Sequence, residues 1–166
     1  MNLKRVLIFA FVIISSTAQS DTLVLSDKLK LEYARPLLIS HTENQLTIKY
    51  PSNTISHNIV NANTMYPSLD LTGYLRPYIY MLFDKKGNQE LPVTIRNLAL
   101  QQREVMGLNN RKGIVKKKEH YELYASYDAK HEISHIFLLE KLRVHHFAID
   151  GSYEYLNTVI NGIKER

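Results

Sequence analysis

Four strand-like stretches follow one another in the last third of the chain, and they constrain the fold more than any other feature. They cover residues 113–118, 120–127, 133–139 and 142–149. In the second stretch, apolar or aromatic side chains occupy every other position from Tyr121 to Tyr127, which places them on one face of a strand. Because only turn-sized gaps separate the four stretches, the simplest topology is an antiparallel meander.

Shorter extended pieces are predicted in the first third of the chain. The clearest covers residues 45–50, where Leu46, Ile48 and Tyr50 face one way and Pro51 ends the alternation. The others are residues 23–33, with a turn near Ser26, and residues 36–40 and 55–60.

The middle of the chain changes to a helical period. Residues 68–83 have helical spacing, but Pro77 lies among them, so we expect two short turns or a bend there. Residues 91–106 form a better helix, with Pro92 near its first turn and Gly107 after its last. Its predicted apolar face carries Ile95, Leu98, Gln102 and Val105, extended by Leu91 and Ala99.

A terminal helix is predicted from Ser152, a suitable N-cap, with Lys164 and Arg166 near its C-terminal end. Its apolar stripe is Tyr153, Leu156, Ile160 and Ile163. The predicted fold class is therefore α+β: a twisted antiparallel sheet flanked by helices, with a C-terminal helix.

The first 20 residues have the order of a cleavable secretory signal peptide. Lys4 and Arg5 precede the apolar run 6–14, and small residues lead to Ser20, so we expect cleavage before Asp21. About nine apolar residues are fewer than the roughly 20 that a membrane span requires. With no cysteine after the run, a lipid anchor is not expected. We expect a periplasmic protein with one α+β domain over residues 21–166.

The cysteine count, the net charge and the tyrosine content limit the kinds of partner and metal site that this chain can have. The chain of 166 residues has no cysteine, so disulfides and thiolate metal sites are excluded. The net charge of +5 includes Lys4 and Arg5, and the remaining excess of about +3 does not favour nucleic acid. Tyrosine is abundant, with 11 residues, and it is common both at partner surfaces and in exposed antiparallel sheet.

One short motif resembles the zinc-binding motif of metalloproteases. His131, Glu132 and His135 match H-E-x-x-H, in which two histidines on a helix bind zinc and the glutamate polarises water. The metal requires a helix, because four residues of a strand span roughly 13 Å. Residues 127–130 indicate a turn, so the match straddles a turn and a strand, and we expect solvent-facing histidines rather than a metal or cofactor site.

A histidine pair and a basic cluster are two further candidate functional features. His145 and His146 are adjacent, so in a strand they point to opposite faces; we expect a surface pair. A basic cluster suits either an acidic partner or a solvated edge strand on which lysine prevents aggregation. It comprises Arg111, Lys112, Lys116, Lys117 and Lys118.

The order of elements resembles the PsbP/Mog1-like fold. Residues 46–51 (LTIKYP) are similar to its early strand, and residues 147–152 (FAIDGS) lead into a terminal helix as in that family. The resemblance implies a non-enzymatic protein that binds a partner or steadies an assembly. One branch consists of periplasmic immunity proteins that block a toxin delivered by type VI secretion, and this chain resembles that branch.

The sequence thus favours an exported, non-catalytic protein-binding domain whose partner is a protein such as a toxin. The candidate contact surface is the mid-chain aromatic segment, because tyrosine and arginine are typical interface anchors. It comprises Tyr66, Tyr74, Arg76, Tyr78 and Tyr80. The alternatives are a zinc-dependent hydrolase that uses residues 131–135 and an accessory envelope protein without one tight partner.

Overall fold

The computed structural model describes residues 20–66, 68–84 and 91–166. The expected signal peptide falls on residues outside this range except for Ser20, which begins the first strand. None of the helices in the described ranges has both the length and the hydrophobicity needed to cross a bilayer.

Ten strands and three helices occupy the described residues. In chain order they are β1 (Ser20–Val24), β2 (Leu29–Ala34), β3 (Leu38–His41), β4 (Leu46–Lys49), β5 (Thr54–Ile59), α1 (Leu75–Phe83), α2 (Val93–Val105), β6 (Ile114–Lys117), β7 (Glu122–Asp128), β8 (Ile133–Leu139), β9 (Val144–Asp150), α3 (Tyr153–Gly162) and β10 (Ile163–Glu165).

A seven-stranded antiparallel sheet is the central layer, with the order β3-β4-β5-β9-β8-β7-β6. The predicted meander of the last four long strands is confirmed. The pairing of β5 with β9 extends this meander with the three early strands. In this register Ile48, Ile55 and Ile149 form one buried row across β4, β5 and β9.

The sheet is covered on both faces. Phe137 and Leu139 of β8 point to α1 and α2, whereas Ile136 and Leu138 point to α3 and a second sheet of order β1-β2-β10. Successive strand residues face opposite ways, so β8 contributes to two apolar cores at once. The predicted α+β class, a sheet flanked by helices, is confirmed.

Pro77 does not bend or break a helix, contrary to our expectation. Residues 71–74 form turns, and α1 begins only at Leu75. Pro77 is then the third residue of the helix, where the backbone N–H that proline lacks would have no partner within the helix.

The buried face of α2 differs from the predicted one. Ile95, Ala99 and Arg103 are buried at a spacing of four residues, whereas Val105 is exposed. Arg103 is buried because its guanidinium donates to backbone carbonyls of α1 and of the loop after α2. An apolar periodicity cannot reveal a buried cation of this kind.

The terminal helix starts as predicted but ends earlier. The Ser152 side chain accepts a hydrogen bond from the Tyr155 backbone N–H at 3.3 Å. The helix ends at Gly162, and Ile163 to Glu165 form β10, which pairs with β2. Lys164 therefore contacts Glu32 of β2 instead of stabilising a helix end, contrary to the sequence prediction.

Replacing Gly107 with alanine is expected to lower the free energy of unfolding by about 2–3 kcal/mol. Gly107 has φ +70°, and a Cβ there would lie 2.5 Å from the Tyr127 carbonyl oxygen. Gly73 has φ +78° with nothing within 4 Å of a Cβ, so Gly73→Ala should cost only about 1 kcal/mol. Urea unfolding measures both variants, and equal losses would contradict a close approach at Gly107.

Candidate binding surface

Two adjoining clefts share the end of β5 as a wall. The first lies where α1 begins and where the hairpin between β8 and β9 turns, and the second lies between the end of α2 and strands β8 and β9. Their volumes are about 630 and 570 Å³. Both are lined by the end of β5 and the following loop, and by Asn44 in the turn between β3 and β4. We call the first the basic cleft and the second the histidine cleft.

The basic cleft carries a concentrated positive charge. Arg76 from α1 and Lys141 and Arg143 from the hairpin line it, and none of its lining residues in the described part of the chain is a carboxylate. These three side chains form no ion pair within the described residues. Because cations in a concave surface reinforce one another's field, the cleft attracts anionic groups.

An apolar side chain projects beside these cations. The Glu140 N–H donates to the Arg143 carbonyl at 2.9 Å, which closes the hairpin around Lys141 and Leu142. Leu142 is 89 % exposed, the highest value among the large apolar side chains of the described residues. Turns of this length favour Gly, Asn and Asp, so a leucine at the tip does not serve the turn itself.

The structure separates the five residues of the predicted contact surface. Tyr74 is 42 % exposed and Arg76 lines the basic cleft, so these two lie at the surface. Tyr78 is fully buried between α1 and the sheet. Tyr66 is half-buried with its hydroxyl 2.6 Å from that of Tyr78, and Tyr80 packs against Tyr124.

Tyr78 therefore belongs to the core and cannot touch a partner directly in this fold. Burial, together with the neighbouring Tyr66, raises the pKa of its hydroxyl far above the usual range. Its removal would test stability rather than binding.

The residues of the H-E-x-x-H match are not brought together on a helix. His131 and Glu132 lie in the turn before β8, and Glu132 has φ +54°. The exposed His131 ring pairs with Asp128, whereas His135 lies on β8 and pairs with His146. The prediction that the match straddles a turn and a strand is confirmed. Within residues 20–66, 68–84 and 91–166, no cluster of three or more His, Asp or Glu side chains has metal-binding geometry.

His135 is not the solvent-facing side chain that we expected. It lines the histidine cleft with its ring stacked on His146, and His146 stacks in turn on Phe137. Burial lowers the pKa of His135, and burial with the nearby His135 and His57 lowers that of His146 to about 3. Both rings are therefore neutral at pH 7.

His145 is likewise not a surface residue. On the opposite face of the sheet its Nε2 lies 2.8 Å from Glu140 Oε2, and its Nδ1 lies 3.0 Å from His57 Nε2. The Ser26 hydroxyl donates to Glu140 Oε1 at 2.7 Å. Burial, and secondarily His145, lowers the pKa of His57 to about 4. We call these four residues the buried relay.

The buried relay is not arranged as a nucleophilic triad. In a triad the imidazole takes the serine proton, but here the Ser26 hydroxyl is bonded to the carboxylate and not to a histidine. If each imidazole donates through Nε2, His145 bonds to the Glu140 carboxylate and His57 bonds to His145 Nδ1. The relay thus joins the turn after β1, the hairpin after β8, and strands β5 and β9.

Comparisons with protein-family models, curated proteins and solved structures found no match to this chain. The binding surface is therefore argued from its own residues. Sequence reasoning missed Lys141, Leu142 and Arg143, although a leucine between two cations in a tight turn was visible as Glu-Lys-Leu-Arg.

Proposed function

We propose that this chain is an exported, non-catalytic protein-binding domain, most concretely a periplasmic immunity protein that neutralises a secreted toxin. The observation that carries the proposal is the exposed Leu142 beside Arg76, Lys141 and Arg143, three cations that form no ion pair within the described residues. The signal-peptide order of residues 1–20 supports export, and the resemblance to the immunity branch of the PsbP/Mog1-like fold supports the class of partner.

The chemistry of this surface defines the partner. Leu142 is an apolar anchor that enters a pocket, and the cations around it steer an acidic surface towards the cleft. The partner therefore presents carboxylates around an apolar depression. For a toxin, occupation of such a depression by the hairpin would block access to it.

Two surface substitutions test the contact. Leu142→Asp is expected to weaken partner binding at least about 30-fold, because it removes the anchor and puts a carboxylate against an acidic surface. Arg76→Glu should also reduce the association rate and its dependence on salt. Candidate partners are secreted toxins encoded by genes next to this one; binding is measured by calorimetry with each of them, and neutralisation by growth of cells that produce the toxin.

The matched control is Leu100→Asp on α2. Leu100 is another exposed leucine, outside both clefts. It should bind and protect like the unchanged chain, and circular dichroism should show that all three variants are folded. Full protection by Leu142→Asp, or an equal loss in Leu100→Asp, would contradict the proposed contact surface. A neighbouring toxin that the unchanged chain neither binds nor neutralises would contradict the immunity function.

A further inference from the structure

The two outer strands of the seven-stranded sheet differ in how they are protected. The outer strand β6 carries Lys116 and Lys117, both exposed, and Lys118 follows. Lysine on an outer strand discourages pairing with another chain. At the other edge β3 has no charged residue, and its sequence is Leu-Ile-Ser-His.

Apolar side chains are open to solvent along β3. Leu37, Leu38 and Ile39 are 70, 56 and 48 % exposed. Ile39 stands opposite Ile48, and Ile48 opposite Ile55, so Ile39 is the end of the isoleucine row that is otherwise buried across the sheet. One further strand at this edge would continue the row.

The backbone at this edge is available for pairing. The Thr42 N–H donates to the Gln45 carbonyl, and hydrogen bonds alternate along an antiparallel pair. Ser40 therefore directs its backbone groups to β4, whereas Ile39 and His41 direct theirs away from the sheet. Free groups on an uncharged strand are a template for strand addition.

The charged residues on either side of β3 indicate which strand could pair with this edge. Arg35 and Glu43 lie four residues before and four residues after Ile39. Both are exposed, and neither forms an ion pair within the described residues. If a second β3 pairs antiparallel with Ile39 opposite Ile39, the end of one strand that carries Arg35 meets the end of the other that carries Glu43.

We propose that two copies of this chain associate through β3, which joins their central sheets into one antiparallel sheet of fourteen strands. In this register the two copies of Ile39 form the hydrogen-bonded pair at the centre of the contact, whereas the Leu37 N–H stays bonded to the Lys49 carbonyl of its own chain. The contact is one short strand from each copy, and an interface of that size gives a dissociation constant on the order of micromolar. None of the residues Leu38–His41 lines the cleft that holds Leu142, so the proposal does not depend on the proposed function.

A single cysteine tests the register. The natural chain has no cysteine, so Ile39→Cys can form a disulfide only between copies. Directly paired residues of this kind lie about 5.5 Å apart between Cα atoms, which a disulfide spans. The control is Val115→Cys on β6, since Val115 is also β-branched and also 48 % exposed. The chain is expressed from its full-length coding sequence, oxidised mildly and analysed without reductant.

We expect a covalent dimer from Ile39→Cys and a monomer from Val115→Cys. Equal cross-linking of both, or none of either, would overturn the proposal. Sedimentation of the unchanged chain over the micromolar range should show association that Ile39→Lys removes. A chain that stays monomeric, or a dimer that persists in Ile39→Lys, would also overturn it. So would a monomer that binds a toxin through this edge, because β3 would then take the toxin's strand.

The contact between Arg35 of one copy and Glu43 of the other provides a second, independent test of the dimer. Arg35→Glu should weaken the dimer at least about tenfold, because it places two carboxylates together at each end of the pair. Arg35→Glu combined with Glu43→Arg should restore association, since the exchange recreates both ion pairs. A double variant as weak as Arg35→Glu would contradict this register.

Discussion

Replacing Arg103 with methionine is expected to lower the free energy of unfolding by roughly 3–5 kcal/mol. The buried guanidinium donates to the Leu82 carbonyl in the last turn of α1 and to the Leu108 carbonyl at 3.1 Å. The last carbonyls of a helix have no partner within the helix, so a cation at that end satisfies them and also interacts favourably with the helix dipole. Methionine fills similar space but leaves these carbonyls buried without a donor.

Two variants of α2 serve as controls for this prediction. Arg96→Met makes the same change on the same helix at a side chain with no hydrogen bond in the described residues, and it should shift stability by no more than about 0.5 kcal/mol. Arg103→Lys keeps the charge but not the planar fork, so an intermediate loss is expected. Urea unfolding followed by circular dichroism gives the values. A loss below about 1 kcal/mol in Arg103→Met would show that water or other donors satisfy the carbonyls.

The fold is also expected to lose stability steeply as the pH falls from 7 to 4, because His57 and His146 are buried as neutral rings. In the unfolded chain a histidine takes up a proton near pH 6.5, whereas the folded pKa values are about 4 and about 3. Between these limits the unfolded state binds more protons, so acid favours unfolding. The stabilisation is complete above pH 7 and is lost as the pH approaches the folded values.

The size of the acid effect follows from the pKa of His57. At about 1.4 kcal/mol for each pKa unit, acidification to pH 4 costs on the order of 3 kcal/mol through His57 alone. His57→Gln, which retains a donor towards His145, should reduce the pH dependence, and His57→Gln combined with His146→Gln should reduce it further. His120→Gln removes an exposed histidine and should leave the dependence unchanged. Urea midpoints at several pH values provide the test, and a double variant that keeps the full pH dependence would refute it.

Local sequence patterns were sufficient to predict the strands and helices that have one buried face. The alternation at 121–127 and at 45–50 predicted β7 and β4, and Ser152 marked the start of α3. These signals work because side-chain period and capping chemistry act within a few residues. The same patterns could not give the pairing of β5 with β9, which joins residues about 90 positions apart in the chain.

The polar residues were harder to place than the apolar ones. His135, His145 and Arg103 were each expected outside or left unassigned, because isolated His and Arg are usually exposed. His145 and Arg103 are buried and His135 is half-buried, because other side chains or carbonyls satisfy them: Glu140, the carbonyls around α1, and His146 respectively. These partners come close only when the layers of the fold pack together, so no periodic pattern in the sequence reveals them.

The sequence by itself determined the α+β class, the order of helices and strands as far as α3, and the exclusion of cysteine chemistry, since these depend on composition and short-range period. Only the tertiary structure decided which of the predicted contact residues reach the surface. It moved Tyr78 into the core and brought Arg76 beside Lys141 and Arg143, some 65 positions later in the chain. The physical reason is that a binding surface is assembled from the ends of elements, and where those ends meet depends on how the layers pack.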